Sequence, residues 1–390
     1  MHLTQEEARR FLAAYHFAPS DLPGVFARLG TVQYDPLNPV GRNPDLVLQA
    51  RVPGYQVDDW QTAAYTDRLV YDAWDKQACL VPMSDWPMRA LIREKYQPYH
   101  DREILLAQPD AVRAVLDALN RRGPMSALEF EDRTAHPNGQ GSWYGTTTTK
   151  RILRALWAEG TLVTHHRGAG RHYFERAERV IPPAYYDAPP LLDEAAYYRW
   201  IVARRHQAAG LLPIAADTSI WSACHDKLRR TQALAELVAD GTLTPVQVGE
   251  HRTLYHSLTA ALASLDAPPQ PPRVIFVGPL DSILWDRKTV RAVFGFDYTW
   301  EVYKPLAQRR WGYYVLPVFY GDRFIARIDS RLEAGNWAVA RWWWEPEVRP
   351  DAELLAALRA AASAFVRYLG AVGISVAEDV DPVVRAALAG

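Results

Sequence analysis

Glu159-Gly160-Thr161-Leu162-Val163-Thr164-His165, followed after Arg167-Gly168-Ala169-Gly170 by Arg171-His172-Tyr173-Phe174, marks a helix end running into a hairpin. Gly160 suits the left-handed backbone that closes a helix. Residues 161–165 and 171–174 are rich in β-branched and aromatic side chains and flank a glycine turn, so they read as paired strands. Upstream, 146–159 has helical apolar spacing, and 109–121 is a second helix closed by Gly123-Pro124. Ser126-Ala127-Leu128-Glu129 carries a capping-box signature between them. Helices leading into a hairpin are the winged-helix order.

The pattern recurs downstream. Residues 193–209 and 228–239 read as helices, with a further one near 219–224, and 242–248 pairs with 253–257 around His251-Arg252. Asp240-Gly241-Thr242-Leu243 echoes Glu159-Gly160-Thr161-Leu162 at the same structural place. At the start, Thr4 and Glu7 form a capping box ahead of Ala8, Phe11, Leu12 and Tyr15. Ser20-Asp21 with Pro23 opens a helix that ends near Gly30. Residues 69–72 read as a strand, and 85–107 as a long helix interrupted near Pro98.

Ala267-Pro268-Pro269-Gln270-Pro271-Pro272 is a stiff linker. Beyond it, 298–302, 312–319, 323–329 and 337–343 alternate as antiparallel strands, and 351–369 is a closing helix read as packing alone. The expected fold class is α+β: tandem winged-helix (helix-turn-helix) motifs with a C-terminal antiparallel β element. The expected division is 1–84, 85–182 and 183–266 as three winged-helix units, then 273–390 as sheet and closing helix.

A net charge of −1 over 390 residues gives no global sign of a polyanion partner, so nucleic-acid binding must rest on a local face. Cys79 and Cys224 are too few for a thiolate zinc site, and buried thiols in a reducing cytosol are expected. The first residues lack a signal-peptide pattern, and no run of about 18 apolar residues marks a membrane span. His165-His166 with His172 lacks a completing carboxylate or thiolate, so no metal and no cofactor is expected.

The chemistry-bearing stretch is Leu29-Gly30-Thr31-Val32-Gln33-Tyr34-Asp35-Pro36-Leu37-Asn38. In extended backbone, Gln33 and Asp35 point to one face and Tyr34 to the other. An amide beside a carboxylate can hold and activate a water; the plainer reading is a turn at Asp35-Pro36.

This segment, continued through Pro39-Val40-Gly41-Arg42, resembles the active-site segment of the AlkZ/YcaQ-like winged-helix DNA glycosylases. The resemblance extends through Leu46-Val47-Leu48-Gln49-Ala50-Arg51, Trp74 and Leu80-Val81-Pro82. It returns at Pro279-Leu280-Asp281-Ser282-Ile283-Leu284-Trp285-Asp286-Arg287, Phe294-Gly295-Phe296 and Trp311-Gly312-Tyr313-Tyr314-Val315-Leu316-Pro317. It implies a monofunctional glycosylase that removes alkylated bases, with N7-alkylpurines and interstrand crosslinks as substrates. Asp35 would be general base or electrostatic stabiliser, and Gln33 would position water. Arg42 and Arg51 match family arginines that would bind phosphate or brace Asp35, with a surface ion pair the alternative for each. The chain departs from the family at Asn43, where a His is usual, and at Lys76-Gln77, where a His-Glu pair is common.

The implied partner is double-stranded DNA carrying alkylated bases or crosslinks, met by a monomer in the nucleoid-bearing cytoplasm. Two basic elements could meet it. Residues 150–179 hold seven Lys/Arg against three Glu, among them Lys150, Arg151, Arg154 and Arg171. Lys304, Arg309 and Arg310 surround an expected hairpin tip before Trp311. The competing function is a non-catalytic winged-helix DNA-binding protein or transcriptional regulator, which would need no carboxylate at Asp35.

Overall fold

The computed structural model describes residues 1–96, 101–130, 148–268 and 270–389. Contacts divide the chain into two compact units, one of residues 1–60 with 201–390 and one of residues 61–200.

The first unit opens with β1 (His2–Leu3) and α1 (Gln5–Phe17). Thr4 caps α1: the Glu7 N–H donates to Thr4 Oγ1, and the Thr4 N–H donates to Glu7 Oε2 at 2.7 Å. The helix buries Ala8, Phe11, Leu12 and Tyr15, as their spacing predicts. Asp21 caps α2 (Leu22–Leu29), and the short strand β2 (Val32–Gln33) follows Gly30. Then comes α3 (Asn43–Gln49), whose first six residues are all buried. A helix covered on every side has no polar face, so periodicity does not announce it.

In the second unit, β3 (Val70–Trp74) and β4 (Ala78–Pro82) form an antiparallel pair with Val70 opposite Pro82. The expected long helix over 85–107 does not form. Met83–Asp85 and Pro87–Arg89 are single 3-10 turns, Ile92–Tyr96 is a π turn, and only α4 (Arg102–Ala107) is regular. Pro87 supplies no N–H to a helical ladder, which favours the broken path. Pro98 lies outside the described residues.

Next come α5 (Pro109–Arg122), β5 (Met125–Ser126), α6 (Thr148–Glu159), β6 (Leu162–Gly168) and β7 (Arg171–Arg176). The strands join in the order β5-β7-β6, and Leu119, Met125, Ile152, Leu156 and Leu162 share one core. Ser126 donates its N–H and hydroxyl to Glu129 Oε2, both at 2.7 Å. Thr146, the expected start of α6, lies outside the described residues.

The helix α7 (Glu194–Ala209) returns the chain to the first unit. There α8 (Lys227–Ala239) leads into the hairpin β8 (Leu243–Val248) and β9 (Leu254–Leu258). β1 pairs in parallel with β8, His2 opposite Gln247. The amino-terminal segment therefore groups with 201–390.

The chain ends in a five-stranded sheet, β10 (Val274–Phe276), β11 (Val315–Tyr320), β12 (Arg323–Glu333), β13 (Asn336–Trp344) and β14 (Gly373–Val376), paired in chain order. The expected antiparallel character holds from β10 to β13, whereas β13 and β14 run parallel. α9 (Arg287–Phe294) and α10 (Ala352–Leu369) complete the elements that concern the site. No strand forms over 298–302, where the apolar alternation reflects Tyr298 and Val302 packing inward without a ladder partner. Among the described residues no helix is long and apolar enough to cross a membrane.

Candidate active site

Gln33 closes β2 and is 8% exposed. Its main-chain carbonyl accepts from Asn43 Nδ2 at 2.7 Å, and Asn43 Oδ1 accepts the Leu280 N–H at 3.2 Å. Asn43, fully buried, thus ties the motif to the Pro279-Leu280-Asp281 segment. A Cβ at Gly278 would lie 2.9 Å from Asn43 Oδ1, so glycine there permits the approach. The side-chain Oε1 of Gln33 is buried without a hydrogen-bond partner. Such orphaned acceptors are uncommon and call for a physical account.

Asp35 sits in the turn after β2 and is half-buried. One oxygen, Oδ1, accepts the Leu37 N–H at 2.9 Å, so the turn chemistry and the carboxylate coexist in one residue. Burial pushes its pKa above the ordinary carboxylate value, against the opposing pull of the Leu37 N–H. Between the two polar residues, Tyr34 packs edge-on against Trp60, ring centres 5.8 Å apart.

Behind the motif lies a cluster of carboxylates and phenols. Asp45 is fully buried and accepts from the Arg42 N–H, the Asp58 N–H and Tyr55 Oη. Burial nevertheless pushes it up to about 6. Tyr368, on α10, donates to the Val40 carbonyl at 3.0 Å, and a Cβ at Gly41 would strike its hydroxyl at 1.8 Å. The closing helix, expected to be packing alone, therefore holds the motif segment. Tyr314, just before β11, is 2% exposed with an unpartnered hydroxyl. Neither tyrosine is marked in the sequence, and Tyr368 reaches the Val40-Gly41 stretch from the far end of the chain.

The arginines expected at DNA divide sharply. Arg51 is 1% exposed and grips Asp281 through both terminal nitrogens, at 2.8 and 2.9 Å. It is closed to a phosphate, and the alternative of a surface ion pair is corrected to a buried one. Arg42 is partly exposed and pairs with Asp58 at 2.9 Å.

In the 150–179 stretch, Arg151 pairs with Asp101 and Arg167 with Asp72, both carboxylates outside the counted residues. Arg176 and Arg179 pair with Glu178 and Glu175. The positive excess on that stretch is thus smaller than a local count gives. Lys150, Arg154 and Arg171 are exposed. Of the histidines there, His172 contacts Thr164 Oγ1 at 2.9 Å and stacks on Phe174.

The expected hairpin tip around Lys304, Arg309 and Arg310 is instead a loop wrapped on one carboxylate. Buried Glu301 accepts from Lys304 Nζ, the Trp311 N–H and the Gly312 N–H at 2.8, 2.8 and 3.4 Å. Burial alone would raise Glu301; these donors bring it down to about 2. Arg309 lies over the Tyr313 ring and Arg310 over Trp311, and neither forms an ion pair among the described residues. Tyr303 and Leu306, on the same loop, are 85% and 80% exposed.

The family model described as DNA glycosylase AlkZ-like matches residues 26–368. Among solved structures, the chain is similar to the Streptomyces sahachiroi DNA glycosylase AlkZ, at a TM-score of 0.61 and 14% identity, covering 97% of this chain and 100% of that one. At that identity the likeness concerns the fold. The family match takes in the Gln33-Tyr34-Asp35 motif, the Asn43 tie, and both the Glu301 loop and Tyr314, and the chain belongs to the AlkZ-like DNA glycosylases, hydrolases of DNA repair.

Proposed function

We propose that the protein hydrolyses the N-glycosidic bond of N7-alkylpurines in duplex DNA, and that crosslinks between such bases are among its substrates. The observation that carries this is Asp35: half-buried, one oxygen committed to the turn and the other without a donor among the described residues, two positions from the unpartnered amide oxygen of Gln33. An N7-alkylated purine is already cationic, so its departure needs little acid help. The demand falls on the electron-poor sugar carbon and on water.

In this reading water attacks C1′ and the C1′–N9 bond breaks. Its electron pair stays with the purine, which leaves neutral, and the water's proton passes to the Asp35 carboxylate. Gln33 Oε1 accepts a hydrogen bond from the other O–H, which stays on the oxygen that attacks, and so fixes the nucleophile. No lysine lies in the motif to form a Schiff base, which supports hydrolysis without strand cleavage.

Arg309 and Arg310 are the preferred phosphate contacts, with Arg42, Lys150, Arg151, Arg154, Arg171 and Lys304 as further candidates. The tandem winged-helix arrangement, a monomeric state and action at the nucleoid in the cytoplasm belong to the same proposal. The family match does not favour a non-catalytic regulator. Release of N7-methylguanine from methylated duplex DNA is the test. Asp35→Asn should lower single-turnover release by about 100-fold or more. Equal rates for the two proteins would remove Asp35 from the chemistry.

A further inference from the structure

The loop wrapped on Glu301 carries apolar side chains that the protein's own packing leaves in water. Single exposed hydrophobic residues are ordinary on any protein. Here three large ones, Tyr303, Leu306 and Tyr313, fall within eleven residues, and no large hydrophobic among the described residues is more exposed than Tyr303. Arg309 joins them. Its N–H donates to the Leu306 carbonyl at 3.2 Å, and its Nε donates at 2.8 Å to the carbonyl of Lys304, the residue directly after Tyr303. Its guanidinium carbon lies 4.9 Å from the centre of the Tyr313 ring.

The loop is also fixed in shape. Glu301 binds Lys304 Nζ through one oxygen and the Trp311 N–H through the other, closing the loop at its base. The Lys304 N–H donates to the Glu301 carbonyl and the Gln308 N–H to the Pro305 carbonyl, both at 2.9 Å. The Tyr303 ring stands edge-on to Trp300, centres 5.6 Å apart. Holding apolar surface in water on a rigid loop is unfavourable, so the arrangement implies a surface that covers it. Charge says which surface. Lys304, Arg309 and Arg310 stand against one carboxylate in residues 301–314, and that carboxylate is already taken up by Lys304 and main-chain donors. Cations and apolar side chains on one rigid loop fit a polyanion whose interior is stacked and apolar, which describes duplex DNA.

We propose that Tyr303 and Leu306 form a wedge that enters the base stack of duplex DNA and opens one step, while Arg309 and Arg310 hold the phosphates beside it. The Tyr303 ring stacks on the exposed base, and Leu306 fills the gap on the other side of the opened step. The inference rests on the phosphate contacts proposed for Arg309 and Arg310, and is independent of the chemistry at Gln33 and Asp35.

The test uses the full chain and short duplexes carrying 2-aminopurine on either side of an N7-methylguanine whose 2′-fluoro sugar resists hydrolysis. 2-Aminopurine brightens when unstacked, and saturating wild-type protein should brighten it on at least one side. The Tyr303→Ser, Leu306→Ser double variant should bind about 10-fold or more weakly and leave the probe dark at saturation. Its melting temperature should match the wild type, since both side chains already face water. Its slope of log affinity against log salt should also be unchanged, because no cation is lost. Tyr303→Phe should keep the brightening.

A probe that stays dark on both sides with the wild type, or wild-type affinity in the double serine variant, would overturn the wedge. Self-association of the wild type that the double serine variant abolishes would overturn it too, by giving the apolar side chains to a second copy. The phosphate contacts fail separately: replacing Arg309 and Arg310 by Ala would then leave the salt slope unaltered.

Discussion

Arg51 shows how one side chain can satisfy a motif and serve a different end. With Asp281 it forms a bidentate pair whose side chains are both fully buried, and it also donates to the Val47 carbonyl at 2.7 Å. Removing one partner of such a pair leaves a charge in the interior, so Asp281→Asn should cost about 3–5 kcal/mol, read as a lower urea midpoint. Arg51→Lys should not rescue, because an ammonium cannot span both carboxylate oxygens. At Asp35, burial raises the carboxyl pKa, so the acid limb of activity should lie above the ordinary carboxylate value of about 3.9. A limb at or below that value would show that Asp35 is not the titrating base. Gln33 and Asp35 were legible because their relation is local. Tyr368 and the partner of Arg51 were not, since only the folded chain brings them to their contacts.

Among the elements, the hairpins could be read because glycine turns punctuate runs of strand formers. The helix α3 and the turns over 83–96 could not, one being buried all round and the other broken at Pro87. The Glu301 loop is the instructive case. Apolar alternation over 298–302 suggested a strand, but a buried carboxylate gathers the loop's N–H groups and Lys304 in place of a ladder. That wrapping leaves Arg309 and Arg310 without carboxylate partners among the described residues, unlike Arg151 and Arg167. Replacing both Arg309 and Arg310 by Ala should weaken duplex binding uniformly across sequences. It should also reduce the slope of log affinity against log salt by roughly 2. An unaltered slope would take this loop out of the DNA interface.

For the molecule as a whole, acid should be the weak side of its stability. His16 and His206 are both fully buried, and burial lowers each to about 4 from an ordinary 6.5. Between those values the unfolded chain binds protons that the native state refuses, so stability drops as pH falls through that window. Asp45 works in the opposite sense. Its native pKa of about 6 exceeds the unfolded value, so protonation favours the native state between about 4 and 6. His165 and His172, each also lowered to about 4, add to the loss, while Asp35, Asp329 and Glu345 are raised in the same sense as Asp45 but by less. The four histidines outweigh the carboxylates, and calorimetry should show the melting temperature declining from pH 6.5 to 4.5. His206→Phe should flatten that decline; an equally steep one would assign the sensitivity elsewhere.

The grouping of residues 1–60 with 201–390 includes a parallel contact between chain segments far apart, which no local pattern in a sequence announces. β1 finds its neighbour only at Gln247 and Val248. A ribosome therefore exposes the first sixty residues, with the motif, long before their companions emerge, while residues 61–200 are already free to condense. On the proposed reading of the motif, its activity would be acquired late in translation, and a polypeptide released early would carry the Gln-Tyr-Asp text without the companions it packs with.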